Sequence, residues 1–288
     1  MVPEPEQEMI RILWNENENM KELDLIKVTT LVDNEIYKKG LKSSWGLSFF
    51  IEIVVGGRQH SLLMDTSDSF EALSGNAQKL GVNLSSVDAI FISHWHIDHC
   101  GSLTHILPLS RRPIHVYVPS ENPSAMRAIK EAQGIPVVCP RPAGLLEGVL
   151  STGKMWGGIS EHSLIMRLKG KGLVVLTGCS HPGVMNIIKR AREVSGINKI
   201  HAVIGGFHIS SMEEGMKVAE FLRSLGVKKV SPCHCTGVKA KIGIVKILEK
   251  EFVRNGVGKV ISIGEAESKA GEKIDIRAQS SKSAKTSA

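Results

Sequence analysis

Residues 93–101 constrain this chain more than any other part of its sequence. They read Ser-His-Trp-His-Ile-Asp-His-Cys-Gly, so three of the chain's 11 histidines and one aspartate fall in one short stretch. Imidazole and carboxylate groups together suit zinc, manganese or iron. The apolar, β-branched run at 87–92 predicts a buried strand, and α/β folds place their chemistry where strands end. The stretch therefore predicts a metal site, which we favour over a surface loop that is rich in histidine by chance.

The second half of the chain repeats this arrangement of a strand, a histidine-bearing loop and a helix. Three further apolar runs predict strands, and the loop after each carries one histidine. These histidines are His181, His208 and His234. Strands that leave a sheet at the same edge bring distant residues together, so we expect the four loops to converge. The pattern predicts an α/β (α+β) fold in which a β-sandwich is covered by helices.

Turn and cap signals support this layout. Gly56-Gly57 between two apolar runs predicts a hairpin. Asp68 followed by Glu71 predicts a helix with a capping box, and Ser211 followed by Glu214 predicts another.

At 288 residues the chain is long enough for one large core. We expect a single domain over 23–264, preceded by an N-terminal extension over 1–22. The Lys/Ser/Ala-rich tail over 265–288 is predicted to be disordered.

The net charge of +7 indicates which partners to expect. The last thirteen residues supply three of these charges, and the remainder is too mild for a nucleic-acid surface. It suits an anionic small molecule. The sequence has no phosphate-binding Gly-rich loop and no Gly-x-Ser-x-Gly elbow, which disfavours nucleotide-driven and serine-hydrolase chemistry.

The odd number of cysteines, five, predicts reduced thiols. The chain shows no basic-then-apolar leader and no apolar run of bilayer length. We therefore expect a cytoplasmic protein without a membrane partner, and the sequence leaves the oligomeric state open.

Several residues near these loops keep more than one interpretation. His181 precedes a helix whose first amides could also bind an anion. Cys233 and Cys235 flank His234 and could form a soft metal site, a redox pair or simple packing. We favour His234 as a ligand with the thiols supporting it.

The roles of three other side chains stay open as well. His208 could be a ligand, a substrate contact or a proton donor, and Cys179 could contact a metal or pack. Asp65 could orient a histidine ligand or belong to a turn.

The motif His94-x-His96-x-Asp98-His99 after an apolar strand resembles the signature of the metallo-β-lactamase superfamily. The resemblance implies a four-layer αββα sandwich over roughly residues 25–263 and a centre of two divalent ions. It implies that His94, His96 and His181 hold one ion and that Asp98, His99 and His234 hold the other. The superfamily commonly has Thr-Gly-Asp at the position of Thr177-Gly178-Cys179, with that aspartate bridging the ions. The departure leaves the bridging carboxylate in question here.

More specific motifs at 178–183, 205–208 and 232–237 are similar to one branch of that superfamily. Its members are 7,8-dihydropterin-6-methyl-4-(β-D-ribofuranosyl)aminobenzene 5'-phosphate synthases of methanopterin biosynthesis. This resemblance implies an enzyme that joins a dihydropterin diphosphate to a ribofuranosylaminobenzene phosphate and releases pyrophosphate. The substrate would be anionic and phosphate-bearing, with a pterin ring for which Trp45, Trp95 and Trp156 could form a slot.

We expect zinc at this centre, with manganese, iron or magnesium as alternatives, and catalytic roles for Asp98 and His208. The sequence is also compatible with two other functions. One is a hydrolase of a phosphoester, ester or lactone that uses a metal-activated water. The other is a non-catalytic metal- or ligand-binding protein.

Overall fold

The computed structural model describes residues 20–264, and their strands form two main sheets. The first sheet contains β1 (Leu25–Val32), β2 (Ser48–Val55), β3 (Arg58–Met64), β4 (Ala89–Phe91), β5 (His115–Val118), β6 (Ile135–Val138) and β15 (Val260–Gly264), in the order β15-β1-β2-β3-β4-β5-β6. The second contains β7 (Ala143–Leu146), β8 (Val149–Ser151), β11 (Leu164–Leu168), β12 (Gly172–Thr177), β13 (Ile200–Gly206) and β14 (Lys229–Cys233), in the order β14-β13-β12-β11-β8-β7. A small hairpin of β9 (Met155–Trp156) and β10 (Ser160–Glu161) lies between β8 and β11 in the chain.

Seven α-helices are present in the described part of the chain. They are α1 (Phe70–Leu80), α2 (Ile97–Cys100), α3 (Leu103–Ile106), α4 (Pro123–Glu131), α5 (Val184–Ser195), α6 (Met212–Ser224) and α7 (Val238–Ile247). Among residues 20–264, no helix combines the length and apolar character that crossing a bilayer would require.

Alternate side chains of the central strands point to different apolar clusters, which explains the layering. On β12, Val174 and Leu176 lie in the cluster between the two sheets. Leu173 and Val175 lie instead in an outer cluster with residues of α5, α6 and α7. Strands that are buried on both faces read as continuous apolar runs, and the predicted αββα sandwich is confirmed.

Several local predictions need correction. Asp68 does not cap α1, because the Ser69 side chain accepts the amide of Ala72 at 3.2 Å. Glu71 contacts Lys42 and completes no capping box. The capping box of Ser211 and Glu214 on α6 is confirmed.

Some strand and helix ends also differ from the prediction. The sequence around Lys169-Gly170-Lys171 predicts a second hairpin, with one strand over 160–168. That strand is divided between β10 and β11, which pair with different strands. The apolar pattern after Cys235 predicts a helix that continues to about residue 252, but α7 ends at Ile247. The N-terminal extension up to residue 19 and the tail from residue 265 lie outside the described residues.

Candidate metal centre

The four histidine-bearing loops meet at one edge of the sandwich. β12, β13 and β14 are parallel and in register, with Thr177 beside Gly205 and Gly206 beside Cys233, so their C-terminal ends are level. Ser180, His208 and His234 follow these ends with φ values of 65°, 49° and 51°. Left-handed backbone at non-glycine residues costs about 1–3 kcal/mol each and is concentrated at functional sites.

The first ligand set consists of His94, His96 and His181, each of which offers a ring nitrogen within 4.8 Å of the others. His94 Nε2 lies 3.1 Å from His96 Nδ1. Nε2 of His181 is buried and has no hydrogen-bond partner. An unpartnered buried nitrogen that faces two further imidazoles is what a cation ligand requires.

The second ligand set consists of Asp98, His99 and His234. His99 Nε2 lies 3.1 Å from His234 Nε2. Asp98 Oδ2 lies 3.4 Å from the same His234 nitrogen and 3.7 Å from His99 Nε2. Ligands at 2.0–2.1 Å from a tetrahedral ion are about 3.3 Å apart, so these donor spacings fit a divalent metal.

Burial keeps three of the ligand histidines, His94, His99 and His181, neutral. It lowers the pKa of His94 and His99 well below the ordinary value for histidine, and the neighbouring histidines add to the effect. Burial and the charge of His208 lower the pKa of His181 to about 4. Metal binding requires neutral imidazole, so His94, His99 and His181 are in the binding form near neutral pH.

Asp98 is held in its ionised form by its histidine neighbours. Burial favours the protonated acid, but the hydrogen bond with His234 and the charge of His99 outweigh it. Together they lower the pKa of Asp98 below its ordinary value.

Asp65 orients a histidine of the second set. Its Oδ2 accepts from His99 Nδ1 at 2.6 Å and from the Ser93 hydroxyl at 2.7 Å, while Oδ1 accepts the Ser93 amide at 2.7 Å. If Nδ1 carries the proton, Nε2 of His99 presents its lone pair to the set. Between the two interpretations of Asp65, the contacts support the orienting role.

His234 is oriented in a similar way by two residues that follow β1, Asp33 and Asn34. Its backbone amide donates to Asp33 Oδ1 at 2.8 Å, and its Nδ1 lies 3.2 Å from Asn34 Oδ1.

Glu161 supports the site and was missed by sequence reasoning. This buried carboxylate accepts the amides of Cys179 and Ser180 through Oε1, at 3.1 and 2.8 Å, and that of His181 through Oε2 at 2.7 Å. The only signal was a single acid just before the apolar run at 164–168. Glu161 therefore fixes the three amides that precede α5, whereas the first amides of the helix itself follow Gly183.

His208 lies beside the first set. Its ring centroid is 4.4 Å from that of His181, and a hydrogen bond with Cys235 raises its pKa. The ring of His208 is exposed at the edge of the site, which is compatible with a contact to substrate.

The structure removes one of the three tryptophans that were predicted to form a slot. Trp45 and Trp156 are exposed, and the Trp45 ring lies 5.8 Å from that of His234. Trp95 instead packs against a third apolar cluster, which contains residues of α1, α4 and the first sheet, and donates its indole N–H to the Ser120 carbonyl at 3.0 Å. Trp95 is therefore removed from the predicted slot.

Comparisons with known proteins identify the family of this chain. The model of the metallo-beta-lactamase superfamily matches residues 54–179. A protein of Methanocaldococcus jannaschii is 30% identical over 84% of this chain and 98% of its own length. The chain belongs to the metallo-β-lactamase superfamily. The relative is named 7,8-dihydropterin-6-methyl-4-(beta-D-ribofuranosyl)-aminobenzene-5'-phosphate synthase.

Solved structures extend the comparison. A metal-dependent hydrolase of the β-lactamase superfamily is 25% identical, with a TM-score of 0.63, over 83% of this chain and 100% of the other. YhfI from Bacillus subtilis has a TM-score of 0.61 over the same shares at 15% identity, which supports the fold alone.

Membership of the metallo-β-lactamase superfamily settles the broad class of activity. The chain is an enzyme of a superfamily with divalent-metal centres, and its substrate is a small molecule. The non-catalytic alternative is set aside.

Proposed function

We propose that this enzyme is a metal-dependent transferase that joins a dihydropterin diphosphate to a ribofuranosylaminobenzene phosphate and releases pyrophosphate. The observation that carries the proposal is an exposed apolar rim around two adjacent ligand sets. The synthase from M. jannaschii, at 30% identity, supports the choice of reaction.

The rim consists of Trp45, Ile97 and Trp156, whose side chains are 65%, 69% and 73% exposed. Each stands next to a segment that touches the ligand sets. A Cβ on Gly46 would lie 2.6 Å from the Asp98 carbonyl oxygen, and one on Gly157 would lie 2.2 Å from the His181 carbonyl. Exposed aromatic side chains beside a polar site suit a substrate that joins a flat ring to a charged group.

Each ligand set would hold one divalent ion, through His94, His96 and His181 and through Asp98, His99 and His234. The ions would neutralise charge on the departing diphosphate. Within the chain, Trp45 and Trp156 would hold the pterin ring. His208, exposed beside His181, would hydrogen-bond a diphosphate oxygen.

In this reaction the acceptor's aromatic amine forms a C–N bond to the pterin 6-methylene as the C–O bond to diphosphate breaks. Asp98 is the acidic side chain of the second set, and one of its oxygens faces His99 and His234. We assign its other oxygen as the acceptor of a hydrogen bond from the incoming amine. That contact would orient the amine and receive its proton.

The test is incubation of metal-loaded protein with both substrates, with pyrophosphate and the coupled product measured together. We expect both to form in equal amounts and neither to form with one substrate alone. Pyrophosphate without coupled product, or no product from fully metal-loaded protein, would exclude the transferase.

Trp45→Ala should raise KM for the pterin substrate with a smaller effect on kcat, because the ring contact is made in the ground state.

A hydrolase is the second candidate, because the superfamily structure at 25% identity is described as a metal-dependent hydrolase. Here the substrate would be a phosphoester, ester or lactone. Turnover of model phosphodiesters or lactones that is lost in His96→Ala would support the hydrolase. If protein that makes the coupled product hydrolyses none of these model substrates, the hydrolase is excluded.

A further inference from the structure

Cys179 lies between the two ligand sets. Its Sγ is within 4.8 Å of donor atoms of His94 and His181 from the first set, and of His99 and His234 from the second. The contact to His99 Nε2 is 3.2 Å. The sequence left open whether this thiol contacts a metal or packs.

The surroundings of Cys179 distinguish these interpretations. Buried cysteines commonly pack as small apolar groups, and Cys139 and Cys233 do so in the cluster between the sheets. Cys179 is equally buried but is absent from the apolar clusters formed by the described residues. Its sulfur faces imidazoles, so packing does not explain its position.

The backbone around Cys179 is built to hold the thiol there. A Cβ on Gly178 would lie 2.1 Å from the Ser93 hydroxyl, so only glycine lets the end of β12 approach the first loop. A Cβ on Gly206 would lie 2.6 Å from Cys235 Sγ and 3.2 Å from Cys179 Cα. The amide of Cys179 is fixed by Glu161 at 3.1 Å.

We infer that the Cys179 thiolate is a ligand shared by the two ions. This inference rests on the proposed two-ion centre and specifies its chemistry. On binding, the S–H bond breaks, its proton passes to solvent and the sulfur lone pairs are donated to the metals. The second set then has four donors, Asp98, His99, His234 and Cys179, the usual number for tetrahedral zinc.

A sulfur ligand also narrows the choice of metal. Thiolate favours zinc and other borderline or soft ions, whereas magnesium and manganese prefer oxygen. The shared thiol therefore favours zinc over magnesium or manganese at this centre.

The test replaces the native ions with cobalt(II) and records the absorption spectrum of the full-length protein. We expect wild-type protein to bind two cobalt ions per chain and to show a near-ultraviolet sulfur-to-cobalt charge-transfer band. Cys179→Ser should lose the band and bind at least one ion more than tenfold more weakly. Cys235→Ser is the matched control, because Cys235 Sγ donates to the Cys179 carbonyl at 3.4 Å without being assigned as a ligand, and it should keep the band.

If Cys179→Ser fails to fold, Cys179→Asp provides a second test, because aspartate restores an anionic donor at the same position. It should bind two cobalt ions without the charge-transfer band. A wild-type protein with two cobalt ions and no band would overturn the thiolate ligand and leave the proposed function standing. Binding of fewer than two ions would overturn the two-ion centre itself. If Cys235→Ser loses the band and Cys179→Ser keeps it, the sulfur ligand is Cys235 and not Cys179.

Discussion

At the scale of single residues, buried carboxylates position the proposed ligands. Asp65 holds His99, and Glu161 holds the backbone from Cys179 to His181. Burial raises the pKa of Asp65 to about 8 and that of Glu161 to about 7, although hydrogen bonds oppose the change. Groups that orient metal ligands commonly contribute 10–100-fold to metal affinity, so both carboxylates can be tested by metal binding.

Asp65→Asn should weaken binding of the second ion by about 10–100-fold. Asparagine fits the space and tolerates the left-handed backbone of this position, where φ is 60°. Its single oxygen can replace Oδ1, which accepts the Ser93 amide, but its NH2 group cannot accept from His99 Nδ1 as Oδ2 does. Competition with a chelator measures the change. The matched control is Asp88→Asn, a carboxylate that binds the Ser61 amide and Arg112, which should leave metal affinity unchanged.

Glu161→Gln should weaken the ion held by His181, again by about 10–100-fold. A glutamine side chain has one acceptor oxygen for three amides, so the loop before α5 loses part of its support. Isothermal titration with zinc would show one weakened site. An unchanged first site would mean that the loop holds its shape without Glu161.

At the scale of elements, His162 joins the two sheets. Its Nε2 lies 2.9 Å from the Ile92 carbonyl after β4, its Nδ1 lies 2.9 Å from the Ser151 hydroxyl of β8, and its ring stacks on Phe91 at 3.9 Å. A neutral ring satisfies both bonds, with Nε2 donating to the carbonyl and Nδ1 accepting from the hydroxyl. Burial accordingly lowers the pKa of His162 to about 3.

This pKa predicts a pH-dependent contribution to stability. In the unfolded chain His162 titrates near 6.5, so between about pH 6.5 and 3 the unfolded state binds more protons. The contribution is therefore present above pH 6.5 and is lost as the pH falls toward 3. Urea unfolding of metal-free protein at pH 4 to 7 should show a shallower pH dependence for His162→Gln than for wild type, with lower stability at pH 7. Parallel curves would show that His162 does not contribute to the dependence.

At the scale of the whole molecule, each ligand set draws donors from both sheets. His94, His96, Asp98 and His99 follow β4 of the first sheet, whereas His181 and His234 follow β12 and β14 of the second. Bound ions would therefore connect the two halves of the sandwich. A ligand that binds only the folded state stabilises it by mass action.

Removal of metal should consequently lower Tm. At a free zinc concentration 100 times Kd, the expected loss on chelation is about 2.7 kcal/mol. Calorimetric scans with zinc and with excess chelator measure the difference. His96→Ala lacks one donor of the first set, so its Tm should fall less on chelation than that of wild type. An equal fall in Tm would mean that the stabilising metal binds elsewhere.

Local patterns in the sequence were enough to predict the layered fold and the residues that meet at its edge. Apolar runs, glycine turns and the capping box at Ser211 depend on neighbours within a few residues, so they can be recognised without the tertiary structure. The motif from His94 to His99 indicated a metal site for the same reason. The grouping of its ligands with His181 and His234 came from resemblance to the superfamily.

Only the tertiary structure decided which distant groups support that site. Glu161 binds amides that lie 18 to 20 residues further along the chain, Cys179 meets His99 across 80 residues, and Asn34 meets His234 across 200. No local pattern marks such pairs, because sheet packing brings them together. The same packing places Trp95 against the core while Trp45 remains exposed, and it positions Cys179 between the two ligand sets.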